Sequence, residues 1–286
     1  MNKGSYKPPP RFTWPEGRSC AVMLCFDIDG ETTALSEDPA LARKLTTYSQ
    51  CQYGPEVGVP RLIGLLDHLE MPATFFIPTY VAGQHPRMVG VIAERGYEIG
   101  AHGHLHERLD TLSEEEEAAV LDKSLSIFQQ RFGLRPRGHR APWFELNPGT
   151  PDLLLDRGFE YSASMMRDDV PFIHQNGLVE IPAQWMLEDW EQFAFNPEPR
   201  WGVTPEDCEK VYRLWWDEFD AMRDFGCCFT LTLHPWLMGR PSRVRLLERL
   251  LRDIIETGEA WFATGHEIAT WVRQNPDFRK EIDFDQ

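Results

Sequence analysis

Apolar runs of strand length recur along this 286-residue chain, and three of them stop abruptly at acidic or histidine-bearing clusters. Ala21 to Phe26 leads into Asp27-Ile28-Asp29-Gly30-Glu31, Tyr97 to Ala101 into His102-Gly103-His104-Leu105-His106, and Cys227 to Leu233 into His234-Pro235. Helical periodicity fills the intervals. Leu62, Leu65, Leu66 and Leu69 share one helix face, and Ser113 with Glu116 forms a capping-box pattern ahead of Leu121, Leu125 and Phe128. Further strands are expected at Ala73 to Ile77, Pro136 to Arg140, Phe159 to Ser162, Leu178 to Ile181 and Ala260 to Phe262. Further helices are expected at Pro148 to Asp156, from Thr204-Pro205 to Phe225, at Leu246 to Ile255 and at His266 to Val272. Such alternation predicts a parallel sheet with helices outside it, and the count suits a closed α/β barrel in one domain. The polar clusters then sit at C-terminal strand ends, where barrel enzymes keep their chemistry.

The domain is expected to cover residues 20–275, with an N-terminal arm over 1–19 and a C-terminal tail over 276–286. Thr32 to Gly58 and Met165 to Gly202 interrupt the rhythm and read as long connections walling a substrate cleft. A formal charge of −16 repels phosphate backbones and anionic lipid surfaces, so neither nucleic acid nor membrane is an expected partner. The arm lacks the apolar stretch of a secretory signal, and no run reaches the length of a membrane span, which together predict a cytoplasmic protein. Six cysteines show no C-x-x-C spacing and read as reduced, buried thiols.

One carboxylate and two histidines four residues apart suit a divalent ion. His102 and His106 point the same way in a helix or turn, and His104 faces elsewhere as a structural residue. The plain alternative is a polar surface turn with two solvated histidines. Asp27 and Asp29 share a side if the strand continues through them, and a cation between them relieves their repulsion. Asp29 then reads as a ligand and Asp27 as a general base, although a strand-to-loop transition needs no metal at all. Two imidazoles favour zinc over magnesium. Arg140, closing the fourth strand, can pair with Asp27, and His234 can protonate a leaving amine; either residue alone has an ordinary structural reading. Trp143, Trp185, Trp190, Trp201 and Trp236 fall in segments expected around the mouth, where they either stack on substrate or pack a core.

The acidic strand end, the H-x-x-x-H pair, Arg140-Ala141-Pro142-Trp143, a Trp-bearing acidic segment and the terminal histidine occur in the order that resembles the polysaccharide deacetylase family. The likeness runs from about Cys20 to Ala269 and includes Pro72-Ala73-Thr74-Phe75-Phe76. It implies a deformed (β/α) barrel of about seven strands. It also implies a divalent metal, zinc first, on Asp29, His102 and His106, with Asp27, Arg140 and His234 as catalytic residues. Common members have adjacent aspartates, whereas Ile28 intervenes here. That spacing is similar to the intracellular branch of peptidoglycan deacetylase-like proteins, metal-independent allantoinases and cyclic imide hydrolases, which implies a homo-oligomer, tetrameric by that analogy. The metal-free relatives have replaced their ligand positions; this chain retains all three.

For the acid that orients His234, Asp168-Asp169 and Glu188-Asp189 are both available, and the first pair is favoured. Trp143 and Trp190 are substrate-binding candidates, with the Trp143 backbone N–H implied at the oxyanion. The expected reaction is attack of a metal-activated water on a non-peptide amide carbonyl of a glycan or small molecule. Hydrolysis of cyclic imides or ureides is the alternative, and a non-catalytic carbohydrate-binding barrel is the contrasting possibility. Absence of a signal and the long mouth segments favour a compact amide over chitin or peptidoglycan.

Overall fold

Strand β1 (Cys20–Asp27) is buried along its whole length, and its two faces meet different surroundings. Cys20, Val22, Leu24 and Phe26 pack into a large cluster shared with the helices, whereas Ala21, Met23 and Cys25 join an inner cluster with Phe76, Tyr161, Val179 and Ile181. Only a parallel strand covered on both faces reads as an uninterrupted apolar run of this kind. The computed structural model describes residues 13–275; the expected tail and residues 1–12 of the expected arm lie outside the described residues.

The remaining strands are β2 (Thr74–Ile77), β3 (Glu98–Ala101), β4 (Gly138–His139), β5 (Tyr161–Ser162), β6 (Phe172–Ile173), β7 (Val179–Glu180), β8 (Phe195–Pro197), β9 (Arg200–Gly202), β10 (Cys228–Leu233) and β11 (Ala260–Phe262). Seven of them, in the order β10-β1-β2-β3-β4-β5-β7, are parallel neighbours and form the deformed (β/α) barrel. β11 pairs with the N-terminal half of β1, β6 runs antiparallel beside β7, and β8 with β9 makes a separate hairpin. Between β7 and β10 the ring is spanned irregularly, by a bridge from Glu188 to Thr232.

Side-chain alternation explains where the polar groups go. The inner row of β1 is Ala21, Met23, Cys25 and then Asp27; on β10 it is Cys228, Thr230, Thr232 and then His234. Interior volume is shared by pairing large with small. Phe76 occupies the space that a Cβ on Gly100 would need, and the Tyr161 ring does the same to Gly138. Trp14 and the helix Gly265–Gln274, through Ile268, Ala269 and Val272, fill the opposite end.

Several expectations need correcting. Thr32 to Gly58 is not an open connection: it folds into helical turns at Thr32–Leu35, Pro39–Arg43 and Leu45–Tyr53, with Leu41 and Cys51 buried beneath. The helix expected from Pro205 starts at Cys208, because the Asp207 carboxylate accepts from the N–H groups of Glu209 and Lys210 and so caps it there. Among the described residues all six cysteines are free thiols, five buried and Cys208 partly so. No described helix is long and apolar enough to cross a membrane.

His139 turns the other way from Arg140, outward against Phe159, at a ring-centroid distance of 5.7 Å. Neither of its ring nitrogens has a hydrogen-bond partner, and burial depresses it to about 3, with His102 adding to the effect. The folded chain therefore keeps His139 neutral while the unfolded chain protonates it below about pH 6.5, so this residue lowers stability as the medium is acidified. Between pH 7 and 5 the linkage amounts to about 2 kcal/mol. In urea unfolding, His139→Leu is expected to lose about 2 kcal/mol less than the parent over that interval. Equal losses in both proteins would remove His139 as the source.

Candidate active site

The inner rows of β1, β3 and β10 end within one cavity of about 130 Å³, walled by Asp27, Asp29, His102, His106, Glu188 and His234 and roofed by Trp143, Phe144, Trp185 and Trp190. Asp29 reaches it because pairing continues one residue past β1: the Ile28 N–H donates to the Phe76 carbonyl at 2.9 Å, keeping Asp27 and Asp29 on the same side. Gly30, at φ 48°, then turns the chain aside. His102 follows Gly100 on the inner row of β3, as expected.

His106 arrives differently from the helical or simple turn geometry expected of the pair. The stretch is irregular, with Gly103 at φ 71° and His106 at φ 61°, and it is pinned by Thr79 and Tyr80 N–H groups donating to the Gly103 and His104 carbonyls. His104 supports this turn, its Nδ1 lying 2.9 Å from Thr79 Oγ1. The His102 and His106 rings end 4.9 Å apart, nearly edge to face.

One ligand atom from each of Asp29, His102 and His106 lies within 4.8 Å of the others. His102 Nδ1 is 2.8 Å from the Arg140 carbonyl, which can only accept, so Nδ1 carries a proton and Nε2 faces the cavity; burial opposes a charged ring, but the Asp29 and Asp27 carboxylates outweigh it and raise His102. Nε2 is 3.4 Å from Asp29 Oδ1, and His106 Nε2 is 3.7 Å from Asp29 Oδ2. Burial works to raise Asp29, yet His106, His102 and His234 outweigh it and hold the carboxyl well below its usual range. Burial pushes His106 down to about 4, which keeps its ring neutral. A carboxylate, two imidazoles turned towards it and an Asp29 Oδ1 without a hydrogen-bond partner form a donor set suited to a borderline divalent ion with open positions left for reactants.

Arg140 is completely buried. Its Nη1 donates to Thr232 Oγ1 at 2.6 Å and meets Asp27 Oδ2 at 3.4 Å, while the guanidinium lies 4.6 Å from the Phe76 ring and 5.3 Å from Phe144. Burial opposes its charge, but Asp27 prevails and strengthens it. Asp27 Oδ1 is left without a partner. Thr232 was missed in the sequence, although its place two residues before His234 on an inner row marks it.

The acid beside His234 is Asp189, correcting the preference for Asp168-Asp169. Asp189 Oδ1 lies 2.7 Å from His234 Nδ1, and both its oxygens accept from the His234 backbone N–H at 3.0 Å. Burial works against a charged imidazole, but the Asp189 contact overrides it and carries His234 up to about 10. Asp168 instead accepts from the Asp169 and Val170 N–H groups, and Asp169 accepts from Gln184 Nε2 at 2.9 Å. Irregular chain carries both outward, away from the cavity. Trp190 packs 5.7 Å from His234 and is backed by Trp201 and Trp236; Trp143 and Trp185 stay 36% and 44% exposed at the rim.

Removing Asp189 strands the buried N–H groups of His234, so Asp189→Ala is expected to cost about 3 kcal/mol. Asp169→Ala, at an exposed site, should cost under about 1 kcal/mol. Denaturant unfolding of both variants measures this, and similar costs would dissolve the distinction between the two acids.

Comparison with known proteins accords with the geometry. The family model described as polysaccharide deacetylase matches residues 44–162. A peptidoglycan deacetylase of Helicobacter pylori is 30% identical, aligned over 78% of this chain and 87% of its own length. A solved Mycobacterium smegmatis protein bearing the polysaccharide deacetylase name is 38% identical, with a TM-score of 0.91 over 98% of this chain and 99% of that one. The PuuE allantoinase structure, 22% identical, shares the fold with a TM-score of 0.80 over 94% of this chain and 95% of its own. With a barrel of this kind and that degree of likeness, the chain belongs to the polysaccharide deacetylase family, hydrolases of amide carbon–nitrogen bonds.

Proposed function

We propose that this protein hydrolyses a non-peptide amide with a divalent metal, zinc by preference, held by Asp29, His102 and His106. The observation that carries the reading is the convergence of a metal-type donor set, an Arg-held carboxylate and an Asp-held imidazole on one cavity. A bound ion there would supply Lewis acidity to a water and to the amide carbonyl. Asp27, fixed through Oδ2 by Arg140, offers Oδ1 to take the proton of the attacking water. His234 holds its Nδ1 proton on Asp189 and turns Nε2 to the cavity, from which it protonates the departing nitrogen as the C–N bond breaks. The products are a carboxylic acid and an amine. Trp143, in a left-handed conformation at φ 61°, is assigned the backbone N–H that faces the oxyanion.

His102→Ala and His106→Ala are each expected to lose stoichiometric metal while staying folded, since neither ring belongs to the apolar core. Asp27→Asn should retain metal and lose about 10²–10⁴-fold in turnover, because an amide cannot accept the proton. Metal analysis and amide turnover on the purified variants test both assignments. Full occupancy in either histidine variant, or near-normal rates in Asp27→Asn, would overturn the corresponding role.

A second reading concerns the substrate. A cavity of about 130 Å³ under an aromatic rim is small beside the several hundred cubic ångströms typical of ligand pockets, which favours a compact amide, imide or ureide over an extended polymer. Metal-loaded enzyme is expected to turn over succinimide, hydantoin or allantoin faster than N-acetylglucosamine oligomers. Deacetylation that accelerates with oligomer length would defeat this, because only an open groove draws binding energy from remote sugars.

A further inference from the structure

Glu188 is a wall of the cavity to which the reaction above gives no task. Its side chain is almost wholly enclosed, anchored where the backbone bridges Thr232 on β10. Oε2 is buried without any hydrogen-bond partner, and Oε1 stands 3.8 Å from His234 Nε2, too far to bond. It does not orient His234, for Asp189 already holds the opposite ring nitrogen at 2.7 Å. A structural carboxyl at this depth would be expected to have partners, since leaving one unmet costs about 1–3 kcal/mol. Burial raises Glu188 to about 8, so the group can present an O–H as well as a bare oxygen.

We infer that Glu188 is a specificity-determining residue that hydrogen-bonds a polar group carried by the substrate next to the nitrogen that leaves. The inference rests on the amide-hydrolase reading of this cavity. His234 Nε2 marks the place of the leaving nitrogen, and Glu188 lies beside it, on the leaving side of the scissile bond. Groups within its reach there are the second carbonyl of a cyclic imide or a hydroxyl adjacent to an acylated sugar nitrogen. The two share one chemistry, a hydrogen-bonding oxygen a few bonds from the scissile nitrogen.

Two substrate pairs separate those sources: succinimide against 2-pyrrolidinone, which lacks the second carbonyl, and N-acetylglucosamine against its 3-deoxy analogue. Binding of each is measured by calorimetry on metal-loaded Asp27→Asn protein, with and without Glu188→Leu or Glu188→Gln, and turnover is measured in the Asp27 background. In one pair or the other, the full compound should bind about tenfold more tightly than its truncated partner, and Glu188→Leu should abolish that difference. Glu188→Gln, which keeps a polar end, should restore part of it. Glu188→Leu should also melt no lower than its parent, because an unpartnered buried carboxyl is replaced by an apolar group; a structural role predicts a lower melting temperature. Preference unchanged in Glu188→Leu, no preference in either pair, or no binding of any compound would each overturn the inference. Glu188-dependent binding without turnover of any amide would instead overturn the hydrolase reading and leave Glu188 as a ligand-contacting residue.

Discussion

A guanidinium sealed inside a barrel is tolerable only if its charge is answered at once, and Arg140 is answered by Asp27, Thr232 and two aromatic faces. This contact ties β1, β4 and β10 together at the catalytic end. It also sets a cation against Asp27, close to a second carboxylate, Asp29, two residues on. The acidic pair, the histidines opposite and the arginine form one electrostatic unit, in which removal of any single charge leaves the others unbalanced where all are buried.

The histidines divide the work according to what each second nitrogen touches. His102 and His234 have the same residue type and similar burial, yet one gives its Nδ1 proton to a backbone carbonyl and the other to a carboxylate. A neutral acceptor at Nδ1 leaves the carboxylates of Asp29 and Asp27, on the Nε2 side, as the charges that act on His102. An anionic acceptor favours the charged form of His234. These differences follow from hydrogen-bond geometry and need no reference to the order of the residues in the chain.

Much of the barrel was readable in the sequence because period-two and helical spacing are local properties. The apolar runs at Ala21 to Phe26 and Cys227 to Leu233 fall on β1 and β10, and continuing their inner parity leads straight to Asp27 and His234. What could not be read depended on backbone outside those periods. His106 owes its position to left-handed dihedrals that residue types other than glycine rarely signal. Asp189 and Asp168 both lie in the aperiodic stretch between Met165 and Gly202, where no spacing tells which acid turns inward. The helices within Thr32 to Gly58 were hidden for another reason: each is short and only partly apolar, with its burial decided by distant neighbours.

The irregular span between β7 and β10 has an evolutionary consequence. Regular ladders fix Asp27, His102 and His234, while the stretch bearing Glu188 and Trp190 lies outside them and meets the ring through the Glu188–Thr232 bridge and the Asp189 contacts to His234. Substitutions and small insertions there can reshape what enters the cavity without disturbing strand register. The seam thus leaves what the cavity admits open to change while Asp27, His102 and His234 keep their places on the ladders.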